Sequence, residues 1–276
     1  MKIVDGKALA AQLRAELKEK IAKKEFQPTL AVVLVGENPA SQIYVRNKIK
    51  ACEEVGIRSL SYTLPAETSQ GDLEGFLDGL ANDKRIHGIL LQLPLPNGLN
   101  GESAMARIPM EKDVDGFSAE HLGLLALHKE KIVAATPSGV MKILEHEGVE
   151  LKGKHAVVLG RSDTVGKPMA MLLLNADATV TVCHSKTENL KEICKSADIL
   201  ICAIGKAKFV TADMLKEQAI VIDVGINRDE NGKLCGDVDF ENVKEKTSLI
   251  TPVPGGVGPM TIAMLLYNTY TAAFKE

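Results

Sequence analysis

The sequence lacks an excess of positive charge and lacks any apolar run long enough to cross a bilayer. It has 33 Lys and Arg against 36 Asp and Glu, a formal net charge of -3 over 276 residues. Nucleic acids and anionic membranes attract proteins with a basic surplus, and a spanning helix needs roughly 18 apolar residues. The charged N-terminus also lacks the apolar block of a signal peptide. We therefore expect a cytoplasmic protein with neither a nucleic acid nor a membrane as partner.

Patterns of metal-binding side chains are missing as well. The five cysteines are widely spaced, with no Cys-x-x-Cys pair, and the six histidines form no His-Glu-x-x-His motif. Such cysteines are typical of core positions in a reducing compartment. We expect a site without a metal ion, and we expect these cysteines in the core: Cys52, Cys183, Cys194, Cys202 and Cys235.

What the sequence does have is an alternation of strand-length apolar runs and helical patterns. This alternation predicts an α/β fold with parallel sheets, and the length suits two domains. The runs are Leu30 to Val35, Gly88 to Leu93, His155 to Leu159, Thr179 to Cys183, Asp198 to Ile204 and Ala219 to Val224.

Helix signals lie between these runs. Apolar residues recur at helical spacing from Leu9 to Ile21. Pro39 and Pro137 stand at expected helix starts. A last helix is predicted from Pro259 to Phe274 and could pack back on the first domain. Since no repeat or low-complexity linker marks a boundary, we place it near Asp115 to Thr136.

A candidate phosphate-binding turn runs from Gly160 to Gly166, between an apolar strand and a helical pattern. A glycine that ends the strand permits a tight turn, and the following helix N-terminus offers free N–H groups to a pyrophosphate. Ser162 and Val165 replace the usual second and third glycines, so the motif by itself is equally typical of an ordinary strand-to-helix turn. The strands that follow at βα spacing favour a Rossmann-like dinucleotide site.

The end of the next strand indicates the type of cofactor. NAD sites usually carry Asp or Glu about 20 residues after the first glycine, whereas this sequence has Cys183-His-Ser-Lys186. Without a carboxylate to repel a 2′-phosphate, and with Arg161, Ser185 and Lys186 as donors, NADP fits better than NAD. The alternative is that Arg161 and Lys186 are solvated surface charges.

Polar residues in the N-terminal half form a second candidate site. Tyr44 and Lys48 lie on one face of the predicted helix, beside an apolar stripe; such a pair is also typical of a surface where side chains snorkel. Gln92 interrupts a buried-type strand, so its amide needs a partner either in the core or at the carboxyl edge of the strand, where ligands of α/β sheets bind. Asp113 to Gly116 by itself indicates only a loop.

Taken together, six motifs in this order resemble the bifunctional methylenetetrahydrofolate dehydrogenase/cyclohydrolase family over nearly the whole chain. They are Tyr44 to Lys48, Gln92 to Pro96, Asp113 to Gly116, Thr136 to Gly139, Gly160 to Pro168 and Pro252 to Thr261. The resemblance implies NADP-dependent oxidation of 5,10-methylenetetrahydrofolate, then hydrolysis to 10-formyltetrahydrofolate. It also implies a homodimer acting on tetrahydrofolate derivatives.

The resemblance assigns roles to individual residues. Lys48 is the expected catalytic group of the hydrolysis, with Gln92 tuning it and Tyr44 packing against the folate. Asp115 is expected to hold the pterin ring, since a carboxylate matches its paired donors. The turn of Pro254, Gly255 and Gly256, which alone is typical of a helix entry, is expected to contact the substrate. The expected cofactor contacts are Gly160, Arg161, Ser162, Val165, Gly166, Ser185, Thr136 and Ile226.

The expected organisation is an N-terminal folate-binding catalytic domain of residues 1–118 plus 259–276 and a Rossmann-like NADP-binding domain of residues 136–258. Residues 119–135 connect them, and a cleft lies between the two. Three alternatives remain at this point. One is a monofunctional dehydrogenase for the same folate, the second an enzyme of the shikimate or amino-acid dehydrogenase type, and the third a non-catalytic protein that senses NADP.

Overall fold

The computed structural model describes residues 1–275, except for the side chain of residue 40. The helices are α1 (Gly6–Ala22), α2 (Pro39–Val55), α3 (Gln70–Asn82), α4 (Gly101–Met105), α5 (Ala119–Ala126), α6 (Ala135–His146), α7 (Gly166–Asn175), α8 (Leu190–Lys195), α9 (Phe240–Val243) and α10 (Val257–Phe274). Short 3₁₀ turns lie at Met110–Lys112, Ala212–Met214 and Lys244–Lys246.

The strands form two parallel sheets and one hairpin. They are β1 (Lys2–Ile3), β2 (Thr29–Val35), β3 (Arg58–Leu64), β4 (Gly88–Leu91), β5 (His155–Leu159), β6 (Thr179–Cys183), β7 (Ile199–Cys202), β8 (Ala219–Asp223), β9 (Asn227–Arg228), β10 (Leu234–Cys235) and β11 (Thr247–Ile250). The large sheet has the order β1-β11-β8-β7-β5-β6, the small sheet the order β3-β2-β4, and β9 pairs with β10 in an antiparallel hairpin. The predicted α/β class with parallel sheets is confirmed.

The chain divides into two compact units. The large-sheet unit comprises Met1–Ala10, Leu125–His128 and Ala134–Met264. The small-sheet unit comprises Ala11–Leu124, Lys129–Val133 and the C-terminal segment from Leu265. Residues 1–10 group with the large sheet, and not with the N-terminal half as the expected ranges have them, because β1 pairs with β11 at the edge of that sheet.

The core of the large-sheet unit is built from the inward faces of its central strands. Val157, Leu200 and Val221 are fully buried there, and burial of each such side chain stabilises the fold by about 1.5–3 kcal/mol. All five cysteines are buried as free thiols, which confirms their prediction as core residues.

The small-sheet unit has its own core, and the last helix is hydrogen-bonded to two other segments of the same unit. Val33 of β2 and Leu73 and Leu77 of α3 are fully buried. Asn268 of α10 donates from Nδ2 to the carbonyl oxygens of Val114, at 2.9 Å, and Val133, at 2.8 Å. The last helix therefore holds the segment that precedes Asp115.

Some strands differ from the sequence expectation. The strand β3 is absent from it because this edge strand is polar and largely exposed on its outer face, with no apolar run to mark it. The short strand β11 is absent from it for a different reason: it is mostly buried, but only two of its four residues are apolar, which is too short a run to mark a strand. The strand β4 ends at Leu91 and not at Leu93, and β7 covers only Ile199–Cys202 of the expected Asp198 to Ile204. Within residues 1–275, no helix is both long and apolar enough for a membrane span.

Candidate active site

The first candidate site lies in the small-sheet unit and centres on Lys48. Pro39 begins α2, as predicted, and Val45 and Cys52 on that helix are buried. The helix is thereby fixed by its apolar face, while Lys48 remains only partly buried. Its ammonium donates a hydrogen bond to the side-chain oxygen of Gln92, with 3.1 Å between Nζ and Oε1.

The sheet holds Gln92 rigidly in this position. Its backbone N–H donates to the carbonyl of Val33 at 2.8 Å, which continues the β2–β4 ladder by one residue. Its side-chain Nε2 donates to the carbonyl of Leu93 at 2.7 Å. Because the amide nitrogen is occupied in this way, the oxygen faces the lysine. The expected partner of Gln92 at the carboxyl edge of the strand is thus Lys48.

The surroundings of Lys48 shift its proton affinity. Burial lowers the pKa of Lys48 below its usual value, since the charged form loses solvation, while the negative charge of Asp115 opposes this by raising it. Because the pKa is lower, a larger fraction of Lys48 is in the neutral amine form near neutral pH than of an exposed lysine. A neutral amine beside a polar amide can accept a proton, so Lys48 can act as a general base.

Asp115 lies on a loop that a neighbouring carboxylate organises. The buried Asp113 accepts the backbone N–H groups of Gly116, at 3.0 Å, and Ser118, at 2.7 Å. Residue 113 also forms a parallel bridge with Ile89 of β4. The carboxylate of Asp113 is therefore structural, and it presents Asp115 from a fixed loop.

Asp115 and Lys48 interact electrostatically. Burial raises the pKa of Asp115 to about 6, the positive charge of Lys48 lowers it, and the negative charge of Asp113 adds to the increase. A carboxylate that still ionises near neutral pH can accept paired N–H donors from a ligand. The structure thus brings three of the expected residues, Lys48, Gln92 and Asp115, into one electrostatic cluster.

Tyr44 precedes Lys48 by one helical turn on α2. Its side chain is 40% exposed, so its ring offers an apolar face to a planar ligand. Its role in substrate binding remains a prediction.

The second candidate site is the turn after β5 in the large-sheet unit. Gly160 has φ +128°, and a Cβ atom there would lie 2.1 Å from the carbonyl oxygen of Ala203. Only glycine fits this position. The Ser162 hydroxyl accepts the N–H groups of Val165, at 3.2 Å, and Gly166, at 3.3 Å, at the start of α7. Ser162 therefore orders the turn, which explains how the loop works without the usual second glycine.

The donors expected at the 2′-phosphate stand at the ends of adjacent strands. Leu159 of β5 pairs with Cys183 of β6, and both strands end there. Arg161 and Ser185 each follow two residues after a strand end, so they belong to the same sheet edge. Both of these residues and Lys186 are exposed. Exposed donors without a carboxylate at the end of β6 fit a phosphorylated ribose, so the donor set suits NADP.

The remaining expected residues also belong to the large-sheet unit. Thr136 and Thr261 share a hydrogen bond of 3.0 Å between their hydroxyls. Ile226 follows β8, and its side chain is 51% exposed. In the turn of Pro254, Gly255 and Gly256, the N–H of Gly256 donates to the carbonyl of Pro252 at 2.9 Å. Ligand contacts of these residues remain predictions.

Two buried aspartates in this unit are not among the residues expected from the sequence. Asp223 is the last residue of β8 and Asp237 precedes Val238, and both accept several backbone N–H groups. A signal was present, because Asp223 ends an apolar strand at the carboxyl edge where ligands bind. Among the described residues, no group of three or more His, Cys, Asp and Glu side chains is arranged to hold a metal ion.

The large-sheet unit has a parallel sheet with a glycine turn at a helix N-terminus, and the small-sheet unit has a cluster of a lysine, an amide and a carboxylate. This combination is typical of a nucleotide-dependent enzyme. The family comparisons agree with this class. Residues 4–115 match the catalytic domain of tetrahydrofolate dehydrogenase/cyclohydrolase, and residues 134–276 match the NAD(P)-binding domain of the same family. The chain belongs to the tetrahydrofolate dehydrogenase/cyclohydrolase family.

Individual relatives are similar over their full length. The bifunctional protein FolD of Moorella thermoacetica is 56% identical over 274 residues, which cover 98% of each chain. A crystal structure of the bifunctional methylenetetrahydrofolate dehydrogenase/cyclohydrolase from Campylobacter jejuni is 51% identical, with a TM-score of 0.97, and the match covers 100% of this chain and 99% of that one. The Trypanosoma brucei enzyme, solved with NADP and an inhibitor, is 40% identical, with a TM-score of 0.93 and coverage of 98% and 96%.

Proposed function

We propose that this chain oxidises 5,10-methylenetetrahydrofolate to 5,10-methenyltetrahydrofolate with NADP and then hydrolyses the product to 10-formyltetrahydrofolate. The observation that carries the proposal is the hydrogen bond between Lys48 and Gln92 beside Asp115. A dehydrogenase alone has no need for a partly buried amine with a lowered pKa, whereas the hydrolysis needs a group that takes a proton from water.

In the oxidation, the protein chiefly binds and orients. NADP, held by residues 160–166 with Arg161 and Ser185, supplies the hydride acceptor. The nitrogens that flank the methylene carbon stabilise the methenyl cation left on the folate, so this step needs no strong base. Asp115 accepts the N–H donors of the pterin edge, and the exposed ring of Tyr44 packs against the folate.

In the hydrolysis, Lys48 accepts a proton. Water adds to the methenyl carbon, and the neutral amine of Lys48 takes the proton that the water loses. The resulting carbinolamine then opens: its bond between the carbon and N5 breaks, the hydroxyl loses its proton as the carbonyl forms, and N5 gains a proton, which gives the 10-formyl product. Gln92 keeps the lysine in place through its side-chain oxygen.

The same assignment gives each unit a task. The small-sheet unit binds and hydrolyses the folate, and the large-sheet unit binds NADP. Membership of the family further supports a homodimer in the cytoplasm, and sedimentation of the purified protein measures its oligomeric state.

The electrostatic cluster of Lys48, Gln92 and Asp115 argues against the alternatives of a monofunctional dehydrogenase and of an NADP sensor.

The test is absorbance of the purified protein with 5,10-methylenetetrahydrofolate and either NADP or NAD. Reduced NADP without accumulation of the methenyl compound supports both activities. A methenyl compound that accumulates at neutral pH leaves a dehydrogenase alone, and no reduction of either cofactor overturns the proposal.

A further inference from the structure

Two buried carboxylates, Asp223 and Asp237, lie next to each other in the large-sheet unit and are 2% and 0% exposed. Asp223 accepts the backbone N–H groups of Gly225 at 3.0 Å, Asp237 at 2.9 Å and Val238 at 3.0 Å. The side chain of the first aspartate therefore holds the backbone of the second.

Asp237 in turn accepts hydrogen bonds from two further segments of the chain. Its Oδ2 accepts the N–H groups of Ile204, at 2.6 Å, and Gly205, at 3.1 Å, and its Oδ1 accepts that of Lys206 at 2.8 Å. The side-chain Nδ2 of Asn227 donates to the same Oδ1 at 2.9 Å. One carboxylate thus ties the loop after β7 to the segment after β8, which carries Ile226.

The backbone at two glycines lies very close to these carboxylates. A Cβ atom on Gly236 would lie 1.8 Å from Oδ2 of Asp223, and one on Gly225 would lie 2.3 Å from Oδ1 of Asp237. Both glycines are required by this contact and not by a turn, since neither has a positive φ. The two carboxylates are therefore closely enclosed by backbone, and a longer side chain at either glycine would displace one of them.

The pair carries negative charge without a cation among these partners. The seven N–H donors that the structure gives to the two carboxylates are all neutral amides. Burial raises the pKa of Asp223 to about 7, and the charge of Asp237 contributes to that increase. For stability alone, neutral side chains would avoid this repulsion and the cost of desolvation.

The position of the pair in the sheet indicates what it serves. In a dinucleotide site the pyrophosphate lies at the turn after the first strand, here β5, and the adenosine ribose lies at the end of the second, here β6. The nicotinamide half is then directed to the other side of β5, where β7 and β8 follow in the sheet order. Asp223 and the loop bound by Asp237 stand at the carboxyl ends of these two strands.

We infer that Asp223 and Asp237 form a positioning pair for the nicotinamide half of NADP, and that the negative charge of this pair favours the oxidised over the reduced cofactor. The inference rests on the proposed function and deepens it. The oxidised nicotinamide ring carries a positive charge that the reduced ring lacks, so a nearby negative charge stabilises the oxidised form selectively. The effect favours NADP as hydride acceptor, the direction of the proposed oxidation.

The experiment measures the dissociation constants of NADP and NADPH without folate, for the full-length protein and for Asp237→Asn. The variant removes one negative charge and places an amide nitrogen against N–H donors. We expect weaker binding of both forms and a ratio of the two constants shifted against NADP by about threefold to tenfold. Hydrolysis of supplied 5,10-methenyltetrahydrofolate, which needs no NADP, should continue and shows that the variant is folded.

Three further variants separate charge from structure. Asn227→Ala removes one donor and no charge, so both constants should rise by the same factor and their ratio should stay constant. Asp198→Asn removes a carboxylate at the amino end of β7, where it accepts the N–H of His155, and should change neither constant. If Asp237→Asn does not fold, Asp223→Asn at pH 8 gives the same test of the ratio.

The outcomes distinguish this inference from the proposed function. If the unmodified protein binds neither form of the cofactor, the proposed function fails. If it binds both forms and Asp237→Asn leaves the ratio unchanged, the charge has no role and the inference is overturned. A shift of the ratio in Asp198→Asn equal to that in Asp237→Asn would also overturn it, because the effect would then be one of net charge.

Discussion

Lys48 of α2 donates a hydrogen bond to Gln92, 44 residues away in the sequence, with 3.1 Å between Nζ and Oε1. The contact exists because α2 and the end of β4 belong to the same small-sheet unit. It joins the group that we assign as general base to a neutral amide. A charged side chain at position 92 would change the proton affinity of that base.

Gln92→Glu is expected to move the pH dependence of the hydrolysis. A carboxylate beside the ammonium favours its charged form and raises the pKa of Lys48. Less neutral amine is then present at pH 7, so the hydrolysis should slow by about tenfold or more and recover as the pH rises. The measurement is the rate of loss of 5,10-methenyltetrahydrofolate against pH.

The matched control is Asn97→Asp, which adds the same charge at an exposed residue five positions later. Its profile should coincide with that of the unmodified protein. An unshifted profile in Gln92→Glu would show that Lys48 does not set the pH dependence.

Asp115 makes substrate binding dependent on pH. Because its pKa is raised to about 6, the carboxylate is ionised above that pH and becomes protonated as the pH falls through it. The protonated form is a poorer acceptor for paired N–H donors, so kcat/KM for the folate should decline below about pH 6. Asp115→Asn should lose this decline and raise KM by about tenfold to hundredfold, the value of hydrogen bonds to a charged group.

The control for this variant is Glu120→Gln, which removes an exposed carboxylate from the first turn of α5. Steady-state kinetics of NADP reduction should be unchanged in it. The assignment of Asp115 is refuted by an Asp115→Asn protein that keeps the KM and the low-pH decline.

How much of this structure the sequence predicts depends on whether a feature is determined by residues close together in the sequence or by tertiary contacts. The strands β5 and β6 and the turn at Gly160 follow from local patterns, and their predicted bounds agree with the structure. The strand β3 does not, because an edge strand with one polar face has no apolar run. For such a strand, pairing with β2 decides the structure.

In the candidate site, too, some features follow from local sequence patterns and others depend on tertiary contacts. Helical spacing indicates that Tyr44 and Lys48 share a face, but the partner of Lys48 depends on tertiary packing. The loop of Asp115 depends on Asn268, which reaches Val114 from the last helix. The end of an apolar strand marks Asp223 in the sequence, but its pairing with Asp237 appears only when three loops meet at one sheet edge.

Gly160→Ala should separate the two activities. Its Cβ would lie 2.1 Å from the carbonyl of Ala203, and its φ of +128° is unfavourable for alanine, at a cost of about 1–3 kcal/mol. The turn must shift, so KM for NADP should rise at least about tenfold. Hydrolysis of supplied methenyl substrate should be retained.

The corresponding control is Gly79→Ala in α3, where an added Cβ meets nothing within 4 Å. Both activities should be unaffected there. Equal loss of both activities in Gly160→Ala would indicate general unfolding and not a defect of the cofactor turn.

One chain is proposed to perform both reactions, with Lys48 serving only the second. The direct measurement is the time course of reduced NADP and of 5,10-methenyltetrahydrofolate in Lys48→Met, with Lys50→Met, an exposed position on the same helix, as control. Lys48→Met should still bind folate and reduce NADP but accumulate the methenyl compound, because its hydrolysis is lowered by about 10² to 10⁴. Lys50→Met should not accumulate it. Hydrolysis that continues at the unmodified rate in Lys48→Met would show that Lys48 is not the general base.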